Sequence, residues 1–167
     1  VPFYFIVRNI LKYCRSFNVA TVYSFTSRFL SSLKTSFKMA KKAAVNFSLL
    51  KMIITQNFPV HSLESLSIKH FFPYKQPEPL RKLKPIKTLK SFKCDIPKAA
   101  FLLKIAVFAK SLEIARGSLN LKLWKKMKSV ENLSVTQKEE FSRSLEVLTK
   151  ILEASGIFPK RITLDLN

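Results

Sequence analysis

The chain has 167 residues, a formal net charge of +20 and a pI of about 10.2. A small soluble domain needs a net charge of only about 2–8, so this excess predicts a polyanionic partner, either nucleic acid or an anionic membrane. With two glycines and two cysteines in the whole chain, glycine-rich phosphate loops, Rossmann turns and a disulfide framework are excluded.

The first part of the chain, 1–63, carries nine basic residues and no acidic residue. An acid-free stretch rich in Ser, Arg and Lys is typical of organelle targeting segments, so 1–38 is interpreted as a basic N-terminal extension or targeting segment. Two alternatives remain open for it: an ordered extension that lies on RNA, and a basic amphipathic helix on a membrane surface. Met39 begins the sequence Met-Ala-Lys-Lys, so a start at Met39, with 1–38 upstream of it, is a further alternative left open.

The next segment, 39–72, is predicted to be helical. A buried helix is expected over Ser36–Thr55 and a short helix over Ser62–Phe72. The run Ala43–Val60 is the nearest approach to a membrane span, but Lys51 lies near its middle. A central Lys costs about 2.5–3.5 kcal/mol on insertion into a bilayer, which favours a helix packed against protein.

Prolines and lysines dominate the segment 73–97, which is predicted to be an extended ribbon because each proline fixes φ and removes a backbone donor. In an extended chain with a three-residue repeat, lysines spaced three apart lie along one edge and the interleaved apolar residues along another. A solvated, flexible linker is the alternative. The candidate RNA-binding residues of the ribbon are Arg81, Lys82, Lys84, Lys87, Lys90 and Lys93, and the interleaved apolar residues are Leu83, Ile86, Leu89 and Phe92.

The last segment, 98–167, is predicted to be a folded helical domain. Helices are expected over Lys98–Arg116, over 119–127, and from two overlapping capping boxes at 134–139 to about Ser155. The alternating leucines of 119–127 fit a strand as well as a helix, and we expect the helix. Gly156 fits the position after the last helix, and Ile162–Leu166 is expected to be a short strand. The inward stripe of the last helix consists of Phe141, Leu145, Leu148 and Leu152.

A second basic cluster, formed by Lys125, Lys126 and Lys128, lies beside Trp124. One interpretation is a patch that contacts phosphates. The other is an amphipathic helix with Trp124 in the core and its lysines in water. The sequence favours neither.

These elements together predict a mainly α fold. It would be a small helical body with long basic extended N-terminal and central segments, and with little or no sheet. The expected divisions of the chain are 1–38, 39–72, 73–97 and 98–167.

The residues that most enzymes need are scarce. The chain has two histidines, His61 and His70, and two aspartates, Asp95 and Asp165, none of them in a recognisable catalytic turn. The four Cys and His residues show no paired spacing typical of a zinc site. We therefore expect no enzyme activity, cofactor, metal or small-molecule substrate.

In composition and layout the chain is similar to organellar ribosomal proteins, which combine a small body with long basic extensions. The resemblance implies a structural RNA-binding component of a ribonucleoprotein, namely a mitochondrial ribosomal protein in the matrix that functions in translation. Its partners would be rRNA, contacted through phosphates, and neighbouring ribosomal proteins. The alternative is an accessory subunit of a mitochondrial inner-membrane complex, whose lysines would meet an anionic membrane surface.

Overall fold

Seven parallel strands in chain order form the framework of the chain, as shown by a computed structural model that describes residues 13–22, 24–69, 83–94, 100–115, 120–137 and 141–166. The strands are β1 (Ser16–Asn18), β2 (Lys42–Asn46), β3 (Ser65–Lys69), β4 (Ser91–Cys94), β5 (Ser111–Ala115), β6 (Asn132–Gln137) and β7 (Arg161–Leu166). The α-helices of the described residues are α1 (Ser27–Phe37), α2 (Phe47–Thr55), α3 (Leu121–Trp124) and α4 (Phe141–Ser155), and a 3-10 helix covers Ala100–Lys104.

The prediction of a mainly α fold with little or no sheet is therefore wrong. Strand β2 interrupts the helix expected over Ser36–Thr55, of which Phe47–Thr55 is helical as α2. Strand β3 lies inside Ser62–Phe72, and β5 lies inside Lys98–Arg116. Residues 134–137, expected to begin a helix, lie in β6 instead. Strands of four to six residues hold only two or three alternating apolar residues, and so short a pattern cannot be distinguished from helix by periodicity alone.

The predictions at the C-terminal end are closer to the structure. The last helix does end at Ser155, and Gly156 follows it with φ +68°, a conformation that suits glycine. Of its predicted inward stripe, Leu148 and Leu152 are buried, whereas Leu145 is exposed. The strand expected over Ile162–Leu166 is confirmed within β7. Helix α3 lies inside the helix chosen for 119–127.

The strands belong to an internal repeat. Counting from the residue two before each strand, apolar side chains recur at the first, fourth and sixth positions, with a proline at the first position of the last repeat. The fourth-position residues of successive repeats pair in register and lie 20 to 29 residues apart in sequence. This spacing resembles the strand motif of leucine-rich repeats, in which each turn of a solenoid contributes one strand. The fourth-position residues are Phe17, Ala43, Leu66, Phe92, Leu112, Leu133 and Ile162.

The two faces of the sheet differ in burial. From β2 to β6, the side chains at the fourth and sixth repeat positions point into the core and are at most 5% exposed. Side chains alternate between faces along a strand, so the third and fifth positions form the opposite, open face. Among the described residues this open face is rich in small hydroxyl side chains, including Ser65, Ser67, Ser91, Ser111 and Ser134. The helices therefore cover one face of the sheet and leave the other accessible.

A buried asparagine links the first two repeats. Asn46, which caps α2, accepts a hydrogen bond from the Leu49 N–H at 2.8 Å through Oδ1. Its Nδ2 donates to the carbonyl oxygens of Ala20 at 3.1 Å and Val22 at 2.7 Å. The amide thus satisfies groups from two repeats at once, within a site that water does not reach.

We expect Asn46→Ala to lower the free energy of unfolding by about 2–4 kcal/mol, because it removes a helix cap and leaves buried carbonyl groups unpaired. Asn46→Ser keeps a capping oxygen but loses the two hydrogen bonds that Nδ2 donates. It should therefore lower the free energy of unfolding by less than Asn46→Ala does. Urea denaturation measures both, with an unchanged m-value as the check for two-state unfolding. Equal stability of the Ala variant and the wild type would show that the amide does not link the repeats.

Candidate nucleic-acid interface

A charged side chain occupies the second position of every repeat. This residue directly precedes its strand, and all strands are parallel. The seven side chains therefore form a row along the N-terminal ends of the strands. Backbone hydrogen bonds keep these residues in register. The Glu64 N–H donates to the Lys41 carbonyl and the Lys90 N–H donates to the Glu64 carbonyl, both at 2.8 Å. At about 4.8 Å per strand the row spans about 29 Å. We call this row the basic rim; it consists of Arg15, Lys41, Glu64, Lys90, Lys110, Glu131 and Lys160.

Each acid of the basic rim bridges two lysines from neighbouring repeats. The Glu64 carboxylate lies 3.0 Å from Lys41 Nζ and 3.2 Å from Lys90 Nζ. Hydrogen bonds from Lys41 and Lys90 lower the pKa of Glu64 below its ordinary value. Such exposed ion pairs contribute little energy, and the lysines remain open to solvent. Five basic residues against two acids leave the basic rim positively charged.

Glu131 repeats this arrangement towards the C-terminal end. Its carboxylate oxygens lie 3.7 Å from Lys110 Nζ and 3.4 Å from Lys160 Nζ. Lys90 and Lys110 occupy adjacent repeats, and their carboxylate partners, Glu64 and Glu131, lie on the outer sides of the two lysines. Positive charge is therefore concentrated between Lys90 and Lys110.

The contribution of the Glu64 ion pairs to the free energy of unfolding should depend on pH. A carboxyl group with a lowered folded-state pKa stabilises the fold above its unfolded pKa of about 4.3, and this contribution is lost as pH falls through the folded value. We expect Glu64→Gln to melt slightly below the wild type at neutral pH, and the difference to shrink as pH falls below about 4.3 towards the lower folded-state pKa. Glu153→Gln removes an exposed carboxylate for which no ion pair is seen among the described residues, and serves as control in the same thermal scans. A difference for Glu64→Gln that persists at low pH would contradict the bridge.

A groove of about 380 Å³ opens beside the centre of the basic rim. Lys87, Lys90 and Lys110 line it together with His61 and Phe108. We call it the rim groove. The turn that carries Lys87 is fixed on both sides. The Thr88 hydroxyl donates to the Leu63 carbonyl at 2.8 Å. The Ile86 N–H donates to the Ile105 carbonyl at 3.0 Å.

The predicted RNA-binding residues are only partly brought together. Lys87 and Lys90 line the rim groove. Lys128 holds its Nζ 5.6 Å from the ring centroid of Phe108, which lines the same groove. Lys125 and Lys126 are exposed beyond α3 but do not line the rim groove.

The remaining predicted residues lie elsewhere. Lys84 lines an apolar cavity of about 790 Å³. Lys93 projects from β4 and pairs with Glu113 on β5. The four ribbon lysines spaced three apart, namely Lys84, Lys87, Lys90 and Lys93, therefore do not share one edge. Arg81 and Lys82 lie outside the described residues.

Trp124 is fully buried, and within the described part of the chain its indole Nε1 has no hydrogen-bond partner. This agrees with the interpretation of Trp124 as a core residue and leaves no face of the indole for a ligand.

Most of the basic rim, and Phe108 beside it, were missed by reading the sequence as helices. The signal that finds the rim is the internal repeat. Once the seven segments are aligned on their fourth-position apolar residue, a charged residue stands two places before that residue in each of them. Phe108 has no such signal, because it lies in a turn outside the repeated positions.

Within the described ranges, no group of three or more His, Cys, Asp or Glu side chains could hold a metal ion. In the same part of the chain, no helix combines the length and apolar character needed to cross a membrane. Comparison with known proteins gave no match to a protein-family model, a curated protein or a solved structure.

Proposed function

We propose that the chain is a non-catalytic scaffold that binds RNA along the basic rim. One observation carries this proposal: parallel register places Arg15, Lys41, Lys90, Lys110 and Lys160 along a single edge of the sheet, with Lys87 and His61 beside them. A one-sided row of lysines is the electrostatic footprint expected for a polyanion partner. The net charge of +20 for the whole chain points the same way.

The mechanism is neutralisation of phosphates by lysine ammonium groups. Each contact releases counterions, so the logarithm of the binding constant should fall linearly with the logarithm of salt concentration, by about 0.7 per phosphate on single strands. Contacts of this kind position a nucleic acid without reading its sequence. The scaffold is therefore expected to bind RNA with weak sequence preference and strong salt dependence.

Binding of the full chain to labelled RNA, followed by fluorescence anisotropy between about 50 and 200 mM salt, tests the proposal over the range in which phosphate contacts dominate. Vesicles containing anionic lipid are the parallel probe. Salt-sensitive RNA binding supports the proposal. Binding to vesicles without binding to RNA would overturn it in favour of the membrane-complex alternative.

The cellular setting that fits this function is a ribonucleoprotein, and we propose a mitochondrial ribosome. The acid-free composition of 1–63 supports this setting, together with the basic rim. Sedimentation of an organelle lysate tests it: the chain should run with a ribosome-sized particle and shift after ribonuclease treatment. Co-sedimentation with detergent-solubilised membrane complexes, insensitive to ribonuclease, would contradict it.

A second candidate is recognition of a protein on the open face of the sheet. The observation that favours it is the row Ser65, Ser91 and Ser111 on adjacent strands, whose small side chains let another backbone approach closely. In a parallel row on the same face, Ser67 and Ser134 flank the Lys93–Glu113 pair. Ser67→Trp and Ser134→Trp would block the face without changing the basic rim. Loss of RNA binding in these variants would place RNA, rather than a protein, on the open face and would contradict both candidates.

A further inference from the structure

The rim groove combines basic side chains with an aromatic ring. Lys41, Lys87, Lys90 and Lys110 line it together with one acid, Glu64, and Phe108 forms part of its wall. Lys90 shares Glu64 with Lys41, and Lys110 holds Glu131 at 3.7 Å, whereas Lys87 has no ion-pair partner among the described residues. The groove thus offers free positive charge next to an apolar surface.

We infer that the rim groove binds an unpaired nucleotide, with its base stacked on Phe108 and its phosphates held by Lys87, Lys90 and Lys110. This inference rests on the proposed function and names the form of nucleic acid that the basic rim prefers. Base stacking on aromatic side chains, flanked by basic residues that follow the backbone, is the usual way in which proteins bind single strands.

The position of Phe108 is set by its neighbours. The Lys128 N–H donates to the Val107 carbonyl at 3.0 Å, which brings Lys128 beside the ring. The Lys128 ammonium group then lies 5.6 Å from the ring centroid, within the range of a cation–π contact. Phe108 itself is half-buried and lines the groove, and with Lys128 over one face of its ring a base would stack on the other face.

A duplex cannot use this site in the same way. The base faces of a duplex are stacked on one another, and only phosphates, sugars and base edges reach its surface. An aromatic residue inside a groove of about 380 Å³ can therefore stack only on a base that is unpaired. The lysines of the basic rim would still attract a duplex through its phosphates.

Phe108→Leu tests the stacking contact while it keeps an apolar side chain of similar size in the wall. We expect the affinity of the full chain for a short oligouridylate to fall by about 5- to 150-fold, the range for one lost base stack. Affinity for an RNA duplex of the same length should not change. Phe108→Tyr retains the ring and should retain single-strand affinity. Thermal melting of each variant checks that the fold is intact.

The outcomes separate this inference from the proposed function. If the wild type binds neither RNA, the proposed function fails. If the wild type binds both and Phe108→Leu binds the single strand as tightly as the wild type, the stacking site is refuted and the basic rim stands. An equal loss for single strand and duplex in a folded Phe108→Leu variant would also refute stacking, because it would show a general change in the charge surface.

Discussion

Leu133→Ala is expected to lower the free energy of unfolding by about 2–5 kcal/mol, the range measured for deleting a buried leucine side chain. Leu133 occupies the fourth repeat position of β6 and is 1% exposed. Truncation removes its apolar contacts and leaves a cavity between the sheet and the helices, which the surrounding structure fills only in part. Urea denaturation followed by circular dichroism measures the change.

Ile162→Ala is the matched control. Ile162 has the same repeat position and pairs in register with Leu133, but it lies on the terminal strand and is 41% exposed. Ile162→Ala should lower the free energy of unfolding by less than half as much as Leu133→Ala, because much of the Ile162 side chain already contacts water. Equal costs for the two variants would contradict the parallel order of the sheet, in which β6 is internal and β7 is at the edge.

The triple variant Lys87→Gln/Lys90→Gln/Lys110→Gln should bind RNA about 100-fold more weakly than the wild type at 0.1 M salt. Three lost phosphate contacts, at about 0.7 each, lower the slope of the log–log salt dependence by about 2, and the affinity difference follows from that slope. Fluorescence anisotropy across a salt series measures both quantities.

The matched control is Lys84→Gln/Lys125→Gln/Lys126→Gln, which removes the same charge from outside the rim groove. Its salt slope should stay close to that of the wild type. If both triple variants lose affinity equally, binding depends on overall charge alone, and the basic rim is not the interface.

Local patterns predicted part of this structure. Leu89 and Phe92 are buried, and Leu83 and Ile86 pack against the core, as expected for the apolar side of the segment that contains them. The end of α4 and the strand at its C-terminal side follow from capping and alternation within a few residues.

The sheet could not be found in this way, because its pairing is not local. Leu66 and Ile68 alternate over only five residues of β3, and such a short run fits a helix as well. What makes it a strand is hydrogen bonding to β2 and β4, each in another repeat. In the same way, Lys41 and Lys90 meet at Glu64 only because the parallel register places three repeats side by side.

Repeat alignment would have supplied the missing step. The variation at its key positions hides the repeat: the fourth position holds Ala43 in one turn and Phe92 in another, and the first position varies as widely. Spacings of 20 to 29 residues between equivalent positions further weaken any fixed period. Chemistry that is distributed over repeats is visible only after the repeats are superimposed.

Photocrosslinking of the full chain to an RNA oligomer that carries 4-thiouridine, with the attached peptides identified by mass spectrometry, tests the location of the interface most directly. We expect crosslinks within 87–90 and 108–110, two of the stretches that line the rim groove at the centre of the basic rim. Crosslinks confined to the helices, α1 and α4 above all, would show that RNA binds the helical face of the molecule and would contradict the account.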